Sequence, residues 1–264
     1  MNEAVGAMTN WGKSYAAQYL AEQNIPEFES LILLDYKDEF TGLVEAFDVK
    51  RLTVPSGAEN ISPSKWLETL STYPRVQLAR TSATTEQFRE VAANVAEALG
   101  QWEKTAFVVI DEAHKVAPQS QAPDPLVTLA TTWHGDGYGV LWITQRWAEI
   151  ETTIVAECEA SLLGGFRDPN DLGRIEAVEY PPEVHQSVAN RVSESKARSI
   201  PDSLLVDGEP LTLRRFESDE GHTIGSEWIY ADDTTIRRID SRNWKLESTH
   251  YGSDRKRISH PFDD

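Results

Sequence analysis

Gly12-Lys13-Ser14, near the start of the chain, and Asp111-Glu112, about a hundred residues later, carry the residue types that hold polyphosphates and their metal. The first group closes Ala7-Met8-Thr9-Asn10-Trp11-Gly12-Lys13-Ser14, which fits the phosphate-loop pattern G-x-x-x-x-G-K-[ST] with one departure. Ala7 stands where the first glycine belongs, and Gly6 lies one place early. Backbone N–H groups from about Asn10 to Ser14 can wrap a phosphate at a helix N-terminus. The expected nucleotide contacts are therefore Thr9, Asn10, Trp11, Gly12, Lys13, Ser14 and Tyr15. Lys13 can reach the outer phosphates, and the Ser14 hydroxyl can ligate Mg²⁺. Alanine is tolerable at position 7 if that residue needs no positive φ. Trp11 is unusually large for such a loop.

The second group ends the run Ala106-Phe-Val-Val-Ile110, five apolar residues that suit a strand buried on both faces. Two carboxylates then emerge at the strand's carboxyl end, where open α/β sheets bind ligands. Asp111 would hold the metal through water and Glu112 would polarise an attacking water. The two groups read as Walker A and Walker B, the halves of an ATP site, with ATP and Mg²⁺ as the expected cofactors.

The elements needed to position them alternate along the first half. Helices are expected over Ser14 to Gln23, Thr85 to Glu103 (capped by Thr84 or Thr85) and Leu126 to Trp133. Strands are expected at Leu31 to Asp35, Arg51 to Val54, Val76 to Ala79, Gly139 to Thr144 and Ala160 to Phe166. Such alternation implies a mostly parallel sheet covered by helices on both faces. The strand feeding the phosphate loop would be little more than Met1 to Val5, unless the true start lies upstream. Helical residues run to about Ala197, interrupted at Pro181-Pro182. Short alternating stretches follow at Leu211 to Phe216, Glu227 to Tyr230 and Thr235 to Ile239, read as β-hairpins added to the same core, with Ser253 to Asp264 as a frayed tail. The division expected is residues 1–200 as the ATPase core and 201–264 as its β-rich extension.

Composition narrows the setting. A formal net charge of −18 spread along the 264 residues, with 16 Arg against 9 Lys, resembles salt-adapted proteins; an ordinary acidic intracellular protein is the competing reading. This acidity argues against a broad DNA-binding face, though it leaves room for a narrow basic channel. The single cysteine, Cys158, rules out an intramolecular disulfide and favours an intracellular compartment. No apolar stretch reaches membrane-span length, and the histidines show no zinc spacing.

Two further motifs sit at strand ends. Leu31-Ile-Leu-Leu-Asp35 continues into Tyr-Lys37-Asp-Glu39-Phe40, and the Gly139 strand ends in Ile-Thr144-Gln145-Arg146. A phosphate loop, D-x-K-x-E-[FY], a D-E Walker B and T-Q-R, in this order over residues 6 to 170, resemble the HerA/FtsK superfamily of DNA-pumping ATPases. The compact form is similar to the genome-packaging ATPases of membrane-containing icosahedral viruses, including archaeal ones. The resemblance implies a P-loop NTPase (RecA/ASCE-like) fold, with Gln145 between the Walker strands sensing the γ-phosphate. It implies a ring, usually hexameric, acting on double-stranded DNA without sequence preference, with capsid or portal-vertex proteins as further partners. The setting would be the host cytoplasm or the virion. A conjugation-type transfer ATPase, or a nucleotide-binding scaffold without turnover, are the alternatives. Lys37 and Glu39 are either functional or a surface pair.

The resemblance also asks for an arginine acting on the neighbouring subunit's nucleotide. The loop Trp133-His134-Gly135-Asp136-Gly137, where relatives carry a basic residue, has no arginine, so Arg146 and Arg167 are the substitutes. Asp111-Glu-Ala-His114 spells the DEAH box of another helicase class, but Thr81-Ser-Ala-Thr84 precedes it rather than follows, and a second RecA-like half has no room. His114 then reads as a helix-start residue. Arg214-Arg215 and Arg237-Arg238, with Arg242 and Lys245 nearby, are either pore-lining DNA contacts or partners of Glu217, Asp232, Asp233 and Asp240.

Overall fold

Ten strands form one sheet in this computed structural model, which describes residues 2–132, 137–175, 180–186, 191–219 and 223–251. In chain order the strands are β1 (Asn2–Gly6), β2 (Ser30–Asp35), β3 (Lys50–Val54), β4 (Arg75–Arg80), β5 (Ala106–Ile110), β6 (Tyr138–Thr144) and β7 (Ala160–Leu163), then β8 (Arg215–Glu217), β9 (Thr223–Asp232) and β10 (Ile236–Asp240). They lie in the order β10-β9-β7-β1-β6-β5-β2-β4-β3, with β8 against β9. Pairings among β1 to β7 are parallel, whereas β9 runs antiparallel to β7, β8 and β10.

The apolar runs explain the middle of the sheet. Every residue of β2, β5 and β6 is buried, as expected of parallel strands covered on both faces. One face packs against α3 (Pro63–Thr72) and α4 (Thr85–Leu99), and the other against α1 (Lys13–Asn24) and the C-terminal segment. Helix α4 starts at Thr84, whose hydroxyl accepts from Gln87 N while Gln87 Oε1 accepts from Thr84 N. This reciprocal cap satisfies two otherwise orphaned donors. Phe88, Val91, Val95 and Leu99 form its buried stripe; the helix stops at Leu99 rather than Glu103, because Gly100 opens a turn to Trp102.

The C-terminal half departs most from expectation. β7 stops at Leu163 because Gly164 and Gly165 pass beneath the Trp11 indole, where any side chain would collide. The helical run expected to Ala197 is reduced to α8 (Pro169–Ile175) and one turn, α9 (Glu194–Ala197); its other parts, 176–179 and 187–190, lie outside the described residues. The stretch at Leu211 to Phe216 contributes only the short β8. β9 is ten residues long and joins β7, so the ribbon extends the main sheet. The remaining helices are α2 (Thr41–Ala46), α5 (Ala113–Val116), α6 (Asp124–Thr131) and α7 (Thr152–Ala156). Trp133 to Asp136 and the tail from Ser253 lie outside the described residues. Among the described residues no helix is long and apolar enough to cross a membrane.

Candidate nucleotide site at the strand ends

β1 delivers the loop Ala7–Gly12 between its two neighbours. Ala7 N donates to Thr144 O at 3.2 Å and Met8 N to Gly165 O at 2.8 Å, so the loop begins as an extension of the sheet. Ala7 is not among the positive-φ residues; the left-handed positions are Asn10 (φ 61°) and Gly12 (φ 93°). The missing glycine therefore costs the loop no strain. Gly6 serves packing instead, since a Cβ there would sit 2.8 Å from Trp147.

Trp11 explains its own size. Its side chain is buried over Gly164 and Gly165, its Nε1 donates to Glu227 O at 3.1 Å, and its carbonyl accepts from Ser226 Oγ at 2.6 Å. Asn10 O faces Arg215 Nη1 and Thr223 Oγ1, both at 3.4 Å. The β8–β9 ribbon thus holds the loop through the carbonyls of Asn10 and Trp11. Tyr15 is likewise an anchor, donating to Trp244 O at 2.9 Å. The side chains of Trp11 and Tyr15 therefore belong to the core, and the contact expected of them would be made by their backbone. Ser14 stands half-buried in the first turn of α1. Lys13 Nζ lies back across the loop on Met8 O at 3.0 Å; burial, then the charge of Lys37, lower its pKa to about 8.

The acidic half is crowded. Asp35, Glu39, Asp111 and Glu112 are all buried at the ends of β2 and β5. Asp35 accepts from Glu39 N, Phe40 N and Gln77 Nε2, the last at 2.6 Å. Asp111 Oδ2 accepts from Lys37 N at 3.1 Å, and Lys37 Nζ is ion-paired with Glu112 Oε1. Burial, then the charges of Asp35 and Glu112, hold the Asp111 carboxyl well above the usual range. Burial opposes the charge on Lys37, but its bond to Glu112 and the nearby carboxylates outweigh that and raise its pKa. Among the described residues no cluster of three or more His, Cys, Asp or Glu is arranged to hold a metal by itself, so a hard divalent cation here would take Asp111 together with the Ser14 hydroxyl and oxygens of its ligand.

Two residues read differently once placed. Glu112 sits in the left-handed region at φ 48°, ψ 48°, a strained setting for a residue with a side chain. His114 is buried with Nδ1 3.1 Å from Thr144 Oγ1 and 3.2 Å from Glu112 Oε2, so it faces the site and is more than a helix-start residue. Burial, then the charges of Lys115 and Lys37, lower its pKa to about 3. Gln145 is half-buried at the end of β6, between the Walker strands, and its Oε1 accepts from Thr9 Oγ1 at 3.0 Å. Sequence reasoning gave no role to Gln77; a glutamine inside the apolar run of β4 was the available signal.

The candidate arginines separate. Arg146 is engaged by Glu149 at 3.0 Å, Asp168 at 3.1 Å and Asp171 at 3.7 Å. Arg167 is exposed and lines a cavity of about 510 Å³ beside the loop, with Met8, Trp11, Arg191 and Arg215 among its walls. In the ribbon, Arg238 has only 7% of its side chain exposed; it is ion-paired with Glu227 and donates to three backbone carbonyls. Arg214 shares Glu227 at 2.6 Å, Arg242 pairs with Asp240 at 2.6 Å, and Arg215 pairs with Glu217. The pore-lining reading of Arg238 is therefore corrected: it is a buried structural cation.

A sheet in which β6 separates the strand feeding the Lys13 loop from the strand ending in Asp111-Glu112 is an α/β P-loop ATPase-like fold. Solved structures share it. The genome packaging NTPase B204 of Sulfolobus turreted icosahedral virus 2, in complex with ATP-γS, matches 89% of this chain and 94% of its own at a TM-score of 0.54 and 14% identity. The DNA-packaging ATPase B204 of Sulfolobus turreted icosahedral virus matches 89% and 95% at 0.52 and 14%. VirB4 of Thermoanaerobacter pseudethanolicus matches 90% and 88% at 0.55 and 11%. The HerA/FtsK-type resemblance read from four motifs thus holds at the level of fold. No protein-family model matches the sequence, and no curated protein matches it either.

Proposed function

We propose that this chain is an ATP-hydrolysing motor that moves double-stranded DNA and packages a viral genome into a preformed capsid. The observation that carries the reading is the meeting, at adjacent strand ends, of a phosphate loop that tolerates Ala7, a crowd of buried carboxylates and the Gln145 amide. The likeness to B204 in complex with ATP-γS supports nucleotide binding.

Ser14 and Asp111 are the residues that would hold Mg²⁺, which when bound offsets charge on the outer phosphates. Lys13 leaves Met8 O and moves onto the phosphates, whose negative charge offsets the burial that lowers its pKa. Gln145 offers an amide N–H to the γ-phosphate and a carbonyl oxygen to the attacking water. Glu112 accepts that water's proton as oxygen attacks the γ-phosphorus and the bond to the β–γ bridging oxygen breaks. For this Glu112 must part from Lys37, with which it is ion-paired here. Arg167, exposed beside the loop, is the residue offered to a neighbouring subunit's nucleotide in a hexameric ring.

The second reading is a transfer ATPase of the conjugation type, also acting on DNA; the fold it would need is the one shared with VirB4. A gene beside that of a major capsid protein separates the two and would favour capsid or portal-vertex partners. The direct test is steady-state ATP turnover with and without linear duplex DNA. The motor reading expects stimulation by DNA, activity that rises steeply with protein concentration, and poisoning of parent rings by added Arg167→Ala subunits. ATP bound but never hydrolysed, at any DNA concentration, would replace the motor by a nucleotide-binding scaffold.

A further inference from the structure

Glu112 has two carboxylate oxygens and they are treated differently. Oε1 is ion-paired with Lys37, whereas Oε2 is buried and makes no hydrogen bond. A buried carboxylate oxygen left without a donor is costly. The polar atom 3.2 Å from it is His114 Nδ1. The same nitrogen lies 3.1 Å from Oγ1 of Thr144, the last residue of β6 and the neighbour of Gln145. The Thr144 hydroxyl is also placed to donate to Arg146 O at 3.2 Å. A lone pair on Nδ1 would face two oxygens, one of them anionic, so the ring proton belongs on Nδ1. One N–H then stands between two acceptors at nearly equal distance.

We propose that His114 is the positioning residue for Glu112. Its Nδ1–H, resting between Thr144 and Oε2, becomes the donor that holds the carboxylate toward the water once Lys37 lets go. The inference rests on the hydrolytic reading above. One ring then sets the general base against the strand that presents Gln145, so the proton acceptor and the amide facing the γ-phosphate are aligned together. The left-handed backbone at Glu112 brings carboxylate and ring, two residues apart, to the same side. Burial keeps the ring neutral, so it steers Glu112 without adding a second cation beside Lys37.

The test compares three substitutions in the full chain. An asparagine amide nitrogen falls near the place of Nδ1, and a glutamine amide nitrogen near that of Nε2. His114→Asn should keep kcat within about threefold, while His114→Gln and His114→Ala should lower it by on the order of tenfold or more, with KM for ATP nearly unchanged. Equal losses in Asn and Gln, or a parent-like kcat in Ala, would overturn the proposal. ¹⁵N NMR of the histidine ring in the parent protein gives a second arm independent of turnover and of variant folding. An Nδ1–H tautomer is expected, and an Nε2–H tautomer would overturn the proposal. A parent that binds ATP without turnover would sink the hydrolytic reading, and the ring tautomer would still judge the geometry.

Discussion

The C-terminal ribbon and the ends of β2, β5 and β6 handle charge in opposite ways. In the ribbon each of five arginines has a partner: Arg214 and Arg238 share Glu227, Arg215 meets Glu217, Arg242 meets Asp240, and Arg237 lies 5.1 Å over the Tyr230 ring. At the strand ends the buried carboxylates of Glu39, Asp111 and Glu112 crowd around Lys37, and Glu112 Oε2 has no hydrogen bond. A protein selected for stability alone would build the first arrangement everywhere. The second is held against a cost, and so it marks where ligand charge belongs.

The largest way to break this comparison is Glu227→Ala. It strands the buried Arg238, so denaturant unfolding should show a loss of about 3–5 kcal/mol. A loss below about 1 kcal/mol would mean that the ribbon's pairs are ornamental. Next is acid. His185, beneath the loop platform, bonds Gly164 O at 2.6 Å and Tyr180 OH at 2.9 Å, and burial lowers its pKa to about 4. The unfolded chain takes up that proton near pH 6.5 and the folded chain only near 4, so this contribution is whole above 6.5 and drains away between 6.5 and 4. The loss is roughly 3 kcal/mol at the acid end, and a His185→Gln variant should show a flatter stability profile over that range. Asp111→Asn should do the reverse of most site mutations. Removing a carboxylate whose pKa is raised by burial and then by its neighbours should stabilise the metal-free protein at neutral pH by about 1 kcal/mol, measured by thermal unfolding in chelator. The smallest effect belongs to the exposed Arg237→Glu, expected within about 0.5 kcal/mol of the parent. If that variant also loses DNA stimulation with basal turnover intact, the ribbon carries a DNA contact despite its pairing.

The parts legible in the sequence were those where local pattern and final environment coincide. Ala106–Ile110 is apolar without alternation because both faces of β5 are covered, and the Thr84–Gln87 cap is written in four residues. Lys13, Ser14, Asp111, Glu112 and Gln145 stand at strand and helix ends because their motifs are tied to those ends. Distance in sequence hid the rest. Trp11 looked too large for a phosphate loop because its partners, Gly164, Gly165 and Glu227, lie over 150 residues away and only the sheet order brings them together. His114 looked like a helix start because Thr144 becomes its neighbour only when β6 inserts beside β5. Arg238 looked available to DNA because alternation along a ribbon cannot say which face is covered.

In the proposed motor the crowded strand ends hydrolyse ATP with Glu112 as the proton acceptor. Single-turnover hydrolysis by Glu112→Gln beside the parent, with nucleotide affinity measured on both, tests it most directly. An affinity within about threefold of the parent and a rate lower by on the order of a hundredfold or more are expected. Hydrolysis at the parent rate by Glu112→Gln would contradict it.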